Sequence, residues 1–330
     1  MKAFIALALI VSVSAVPLQE LDSEWIGFKN EFRGNSYLGA EEEAMRRQIF
    51  ERNYEYITAH NAEADEGLHT FRLGVNQFAD KTFQEYQQLL TLRLNVDHVS
   101  TELVEEVVDQ ALPDSVDWRS KNVVTHVKDQ GQCGSCFAFC AVDSIESQYA
   151  IATGKLVELA PSQIVDCIHS GGDVCQTGGD PVGAIELVIK EGGIEKESDY
   201  PYHARMGTCQ FSKSKKAVSV TGVHTLQTGQ ESAIQSAVAN VGPVAVGIDA
   251  NHTSFQHYKS GVYVEPQCSK TKLNHGVLVV GYGTEGGQDY WLVKNSWGTI
   301  FGNQGYIKMA RNHNNQCGIA SYGLYPTGVN

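Results

Sequence analysis

Residues Asp129–Val142 read DQGQCGSCFAFCAV. The first half is polar and glycine-rich, and Gly131 and Gly134 allow a tight turn. The second half becomes apolar with helical spacing through Phe137, Ala138, Phe139, Ala141, Val142 and Ile145. Cys136 therefore falls where a loop becomes a helix. At such a place the unpaired backbone N–H groups and the helix dipole favour negative charge. A thiol there loses its proton more easily, and the thiolate is the nucleophile. The same N–H groups could hold an oxyanion. A disulfide or an inert buried thiol is the alternative use of such a cysteine. Cys133, three residues earlier, can take the disulfide role.

A nucleophile of this kind needs a base, and the base needs an orienting partner. Asn274-His275-Gly276 opens the run VLVVGYG, which reads as a buried strand. A second strand-like run, YWLVK, leads into Asn295-Ser296-Trp297-Gly298. His275 could take the Cys136 proton, and the Asn295 carboxamide could orient the imidazole. His275 follows Cys136 by 139 residues and Asn295 follows it by 159. His169, His203, His224, His252, His257 and His313 stand in polar or turn-like stretches and are poorer candidates. A metal on Cys133, Cys136, Cys140 and a histidine is conceivable but conflicts with a disulfide-bearing chain; none is expected, and no cofactor either.

With these motifs the chain resembles the papain-like cysteine proteases, in their cathepsin L-like branch. The resemblance makes Gln130 the side-chain donor to the oxyanion. It implies an α+β, papain-like two-domain fold, with a helical left domain, a β-barrel-like right domain and a helical inhibitory prodomain in front. Trp297 would shield the His275–Asn295 bond. Gly178, Gly179, Asp180, Pro181, Gly247, Gly276, Trp297 and Tyr322 would border the substrate cleft. Gly178-Gly179 would pair with an extended peptide, and Asp180, Pro181, Gly247, Gly276 and Tyr322 would line the pocket that sets specificity. The pattern has local departures: Phe137 stands where tryptophan is usual, Cys140 where serine is common, and Gln176-Thr177 is one residue longer than the usual spacing. Cys140 reads either as a small buried hydrophobe or as a second oxidisable thiol. An exopeptidase, or a non-enzymatic relative, is the competing reading; retention of Cys136, His275, Asn295 and Gln130 argues against loss of activity.

The chain has 330 residues and a formal charge of −13, which argues against a nucleic-acid partner. The excess lies early. Residues 16–111 carry 19 acidic against 8 basic side chains, and residues 112–330 carry 19 against 16. That asymmetry marks a separable segment. In it, Glu42, Arg46, Phe50, Asn53, Ile57 and Asn61 recur at helical intervals on one face. Gly74, Asn76, Phe78 and Asp80 follow. Both sets match the two motifs of cathepsin L-like propeptides, which makes 16–111 a self-inhibitory propeptide and 112–330 the protease domain. Trp25, Ile26, Phe28 and Phe32 read as an earlier apolar stripe. Residues 95–110, NVDHVSTELVEEVVDQ, read as an exposed linker suited to cleavage.

Residues 1–15 carry Lys2, an apolar run and a small-residue Val13-Ser14-Ala15 end, the pattern of a signal peptide. A secreted or lysosomal protein is expected, without a membrane span. All eight cysteines follow residue 130. The resemblance pairs Cys133 with Cys175, Cys167 with Cys209 and Cys268 with Cys317, leaving Cys136 and Cys140. Asn251-His252-Thr253 is the one N-glycosylation sequon. Expected partners are peptide or protein substrates, the chain's own propeptide and cystatin-like inhibitors, and a monomer is expected.

Overall fold

The computed structural model describes residues 16–34, 39–95, 111–168 and 171–330. The leader assigned to residues 1–15 and nearly all of the 95–110 linker lie outside the described residues.

The first segment is helical. α1 (Leu18–Phe28) and α2 (Ala40–Asp65) cross so that Trp25, Phe28 and Phe50 form a small aromatic core with Ala79. Trp25 and Phe50 stand 5.4 Å apart between ring centroids. Ile26 departs from the expected stripe: it is 56% exposed. It sits one residue from Trp25, about 100° round the helix, and faces water. The polar face of α2 holds the loop that follows. Asn53 Nδ2 donates to the carbonyls of Ala79 and Lys81, and Asn61 exchanges two hydrogen bonds with the backbone of Leu73. Arg46 pairs with Glu85 at 2.7 Å, and Arg33 pairs with Asp80. β1 (Phe71–Leu73) and the short helix α3 (Phe83–Gln87) complete the segment. A Thr82–Glu85 capping box starts α3.

The rest is built on one twisted sheet. β2 (Val116–Asp117) precedes α4 (Cys136–Thr153), which Gly154 ends in the left-handed region at φ 71°. α5 (Pro161–Cys167), α6 (Val174–Thr177) and α7 (Pro181–Glu191) follow. β3 (Ile194–Glu195) and β4 (Lys216–Val218) make a separate pair. Then come β5 (Gly222–Thr225), α8 (Glu231–Asn240), β6 (Val244–Ile248), α9 (Thr253–Gln256) and β7 (Tyr258–Tyr263). β8 (His275–Glu285), β9 (Gln288–Lys294), β10 (Tyr306–Ala310) and β11 (Gly323–Thr327) finish the fold.

The sheet runs β1-β7-β10-β9-β8-β6-β11-β5, with β2 also paired to β8. Its first strand comes from the N-terminal segment: β1 lies antiparallel on β7, with Phe71 opposite Gly261. The sheet is open, so the barrel-like right half implied by the sequence does not close among the described residues. Its two end strands, β1 and β5, do not pair with each other. Along β8, Val277 and Val279 face one core, while Leu278 and Val280 face the other, with α4. A strand buried on both faces reads as a continuous apolar run rather than an alternating one.

Three disulfides join Cys133 to Cys175, Cys167 to Cys209 and Cys268 to Cys317. Cys136 and Cys140 are free and buried. Each bridge closes a loop of 42 to 49 residues, worth about 4 kcal/mol in the chain-entropy picture.

Candidate active site

Cys136 is the first residue of α4, His275 the first of β8, and Asn295 the residue just past β9. α4 packs closely on β8 because Gly276 has no side chain: a Cβ there would lie 2.9 Å from Cys140 Sγ and 3.3 Å from the Cys136 carbonyl. His275 Nε2 meets Asn295 Oδ1 at 2.8 Å, and the Ser296 N–H donates to that same oxygen at 2.8 Å. An oxygen that accepts from Ser296 must also accept from His275. Nε2 therefore carries the proton, and Nδ1 is left as the basic nitrogen. His275 Nδ1 has no hydrogen-bond partner among the described residues. The imidazole stacks on Trp297 at 4.5 Å. Trp297 is itself enclosed edge-on by Phe255 and Phe301, and by Phe78 and Tyr86 from the N-terminal segment.

Gln130 is held from two sides. Ser296 Oγ donates to its Oε1 at 2.7 Å, and its Nε2 donates to the Cys133 carbonyl at 3.0 Å. The carboxamide orientation is thereby set, with N–H groups turned towards the Cys133–Cys136 turn.

The N-terminal segment runs through this cleft. The Leu92 N–H donates to the Asn274 carbonyl at 3.0 Å, and the Arg93 N–H donates to the Gly179 carbonyl at 3.0 Å. Thr91 Oγ1 donates to the Gly134 carbonyl at 2.6 Å. Gly178 must be glycine here, since a Cβ would come 1.6 Å from the Thr91 carbonyl oxygen. Leu92 is buried in the pocket that Gly247 borders, where a Cβ on Gly247 would lie 3.0 Å from Leu92 Cδ2 and 3.1 Å from Leu273 Cδ1. Gly247 pairs with Gly276 across β6 and β8, and its N–H donates to the Tyr322 carbonyl. The Tyr322 hydroxyl donates to the Asp180 carboxylate, and Pro181 starts α7 beside it. The structure thus gathers all the residues the sequence nominated for the cleft.

Covering the cleft changes its electrostatics. Burial pushes the Cys136 thiol above its ordinary value, although N–H groups of Gly276, Thr91 and Phe137 and the Thr91 hydroxyl pull the other way. Burial also moves the His275 imidazole down to about 4, against the upward pull of Asn295.

The profile of the papain family cysteine proteases matches residues 112–327, and that of the cathepsin propeptide inhibitor domain matches residues 25–86. The chain belongs to the papain family of cysteine proteases. It is 47% identical over 309 residues to cathepsin S of Bos taurus, covering 93% of this chain and 92% of that protein. It is 44% identical over 322 residues to digestive cysteine proteinase 2 of Homarus americanus, covering 96% and 98%. The solved digestive procathepsin L2 proteinase of Tenebrio molitor larval midgut superposes with a TM-score of 0.87 at 38% identity, covering 93% and 99%. This papain-family protein is a cysteine endopeptidase zymogen with an inhibitory propeptide, and the segment in its cleft is that propeptide.

Sequence reasoning did not find Thr91, Leu92 and Arg93. The signal was weak: an apolar-polar alternation in Leu90–Leu94 just past α3. Ser296, which fixes both Asn295 and Gln130, was visible only as a motif letter.

Leu92 lies before the protease match that begins at residue 112, so truncating it is expected to separate docking from catalysis. Leu92→Ala should weaken propeptide docking by about 2–5 kcal/mol, the usual range for a buried leucine. The zymogen should then convert faster at neutral pH, with kcat/KM of the mature enzyme unchanged. Conversion followed by gel, beside peptide kinetics of the processed form, checks both halves.

Proposed function

We propose that Cys136 is the nucleophile and His275 the acid–base of peptide-bond hydrolysis through a thioester. The observation that carries this reading is the Ser296–Asn295–His275 chain, which leaves Nδ1 as the basic nitrogen. The Cys136 thiol passes its proton to His275 Nδ1, and the sulfur bonds to the scissile carbonyl carbon. Charge gathers on the carbonyl oxygen, which Gln130 Nε2–H and the Cys136 backbone N–H stabilise; losing one such donor costs about 2.7–4 kcal/mol. The Nδ1 proton goes to the leaving nitrogen as the C–N bond breaks. Water then attacks the thioester, with His275 taking its proton. Trp297 keeps water from the His275–Asn295 bond.

In this reading Gly178 and Gly179 pair with substrate backbone, the place Arg93 now takes. Leu92 marks the pocket for the side chain two residues before the scissile bond. Leu or Phe should be preferred there, at about 0.8 kcal/mol per buried CH₂, and Asp180 beside Tyr322 should also admit Arg. We further read residues 1–15 as a secretory leader, 16–111 as the propeptide and 112–330 as the mature enzyme. The enzyme is secreted or lysosomal, monomeric, open to cystatin-like inhibitors and glycosylated at the exposed Asn251. No helix among the described residues is long and apolar enough to cross a membrane.

Activation by acid belongs to the same reading, and the buried histidines carry it better than the carboxylates. Arg46 holds Glu85 down to about 2, with the Thr82 backbone helping. A depressed carboxylate stabilises above its unfolded value, near 4.3, and loses that stabilisation only as pH falls towards 2. His60 is the opposite case. It is buried between Phe71 and His69, and burial lowers its imidazole below the ordinary value, with nearby His69 adding to this and Glu63 and Glu265 opposing it. Below about pH 6.5 the unfolded chain takes up a proton that the seated segment refuses, so stability falls from there downward.

Three assays bear on these points, the first of them on the mechanism. Cys136→Ala and His275→Ala should each abolish hydrolysis, while Cys140→Ser keeps most of it. Near-wild-type turnover by purified Cys136→Ala would sink the mechanism. In the Cys136→Ala background, susceptibility of the propeptide to added protease should rise as pH drops below about 6.5, and His60→Gln should move that onset lower. An unmoved onset removes His60 from the trigger. In the mature enzyme, Asp180→Ala should lower the Arg/Leu ratio of kcat/KM; a constant ratio places Asp180 outside the pocket's chemistry.

A further inference from the structure

Beneath the catalytic residues lies a buried cluster of four charges. Lys128, Asp143, Glu146 and Lys294 are each at most 8% exposed. Lys128 Nζ donates to Asp143 Oδ1 at 2.7 Å and to both oxygens of Glu146 at 2.6 and 2.7 Å. Lys294 Nζ lies 3.0 Å from Asp143 Oδ2 and donates to Thr125 Oγ1 at 3.0 Å. The Thr125 hydroxyl donates to Glu146 Oε2 at 2.6 Å. The Leu159 N–H also donates to Glu146, at 2.7 Å. Burial raises the Glu146 carboxyl above its ordinary value, and the Lys128 ammonium against both its oxygens pulls the other way.

Its members come from the three elements that carry the proposed chemistry. Lys128 is two residues before Gln130. Asp143 is seven residues, about two helical turns, after Cys136. Lys294 directly precedes Asn295. The Lys128 and Lys294 stretches are already tied by backbone: the Gln130 N–H donates to the Ser296 carbonyl at 2.8 Å, and the Gly298 N–H to the Lys128 carbonyl at 3.0 Å. α4 has no share in that ladder. Within the cluster, Asp143 is the α4 side chain that bridges both lysines, one oxygen to each.

We propose that Asp143 is a positioning residue: by bridging Lys128 and Lys294 it fixes the start of α4, and so Cys136, relative to Gln130 and Asn295. The inference rests on the catalytic reading above but assigns a residue that reading does not use. It explains why a charge interrupts the apolar run FAFCAV–SIES, where burial without partners would be strongly unfavourable. A misplacement of about 1 Å at reacting groups can lower a rate about 100-fold, which sets the scale expected on loosening the bridge.

The test compares mature wild type, Asp143→Asn and the charge-balanced Asp143→Asn/Lys294→Gln, each titrated for reactive Cys136 with an epoxide thiol reagent. Per titrated site, Asp143→Asn should lose about 10- to 100-fold in kcat, with KM within about threefold. The double variant lacks the bridge but leaves no unpaired charge, so it should stay impaired. A lowered melting temperature with kcat per site unchanged means a structural role only and overturns the proposal, as does a double variant with wild-type kcat. Should Asp143→Asn fail to fold, the charge-balanced double variant decides, since it removes the same bridge without leaving an unpaired charge. Its kcat should drop at least threefold at constant KM, and an unchanged kcat overturns the proposal. Cys136→Ala is the separate control, because turnover by that variant would refute the nucleophile assignment whatever Asp143→Asn does.

Discussion

The approach of α4 to β8 at Gly276 is the constraint on which the site depends. The two elements are distant in sequence, one helical and one extended, and their first residues are Cys136 and His275. They can meet only if the strand presents no side chain to the helix at the next position. Gly276 meets that condition. Everything further out serves to hold this contact in register. Three disulfides limit the loops, apolar cores fill both faces of β8, and the Ser296 N–H keeps Asn295 and the imidazole in one orientation.

The propeptide uses the same logic of backbone against backbone. It contributes β1 to the edge of the enzyme's sheet, packs Phe78 and Tyr86 on Trp297, and lays Thr91 to Arg93 along Gly134, Gly179 and Asn274. Asn76 and Gln256 add a reciprocal pair, each donating to the other segment's backbone. Hydrogen bonds of this kind stabilise by only about 1 kcal/mol each. The larger share comes from apolar burial of Phe71, Phe78, Tyr86 and Leu92. The α2 motif residues mostly do not touch the enzyme: Arg46, Asn53 and Asn61 shape the loop that does.

How much of this could be read beforehand follows from the range of each interaction. The start of α4 was legible because the change from glycine-rich to helical-apolar pattern is local. The face formed by Arg46, Phe50, Asn53 and Asn61 was legible for the same reason. The disulfide pairing came only through resemblance, because spacing does not select among the many pairings of eight cysteines. The open sheet, the exposed Ile26 and the seat of Leu92 were not legible. Strand order and the contact between Leu92 and the Asn274 carbonyl join residues about 180 positions apart, and no local pattern encodes that. Nothing local in the sequence marks Asp143, Lys128 and Lys294 as buried.

Seating the propeptide has two effects on the catalytic pair, and they have one cause. It blocks the cleft with a strand, and it removes water from Cys136 and His275. Desolvation favours neutral forms, so the thiol rises and the imidazole falls to about 4. Both shifts run against a thiolate–imidazolium pair in the covered cleft. Where burial disfavours the charged forms, covering the cleft and charging the pair oppose each other by linkage. The strand that blocks the cleft thus also works against the charged forms of the two groups beneath it.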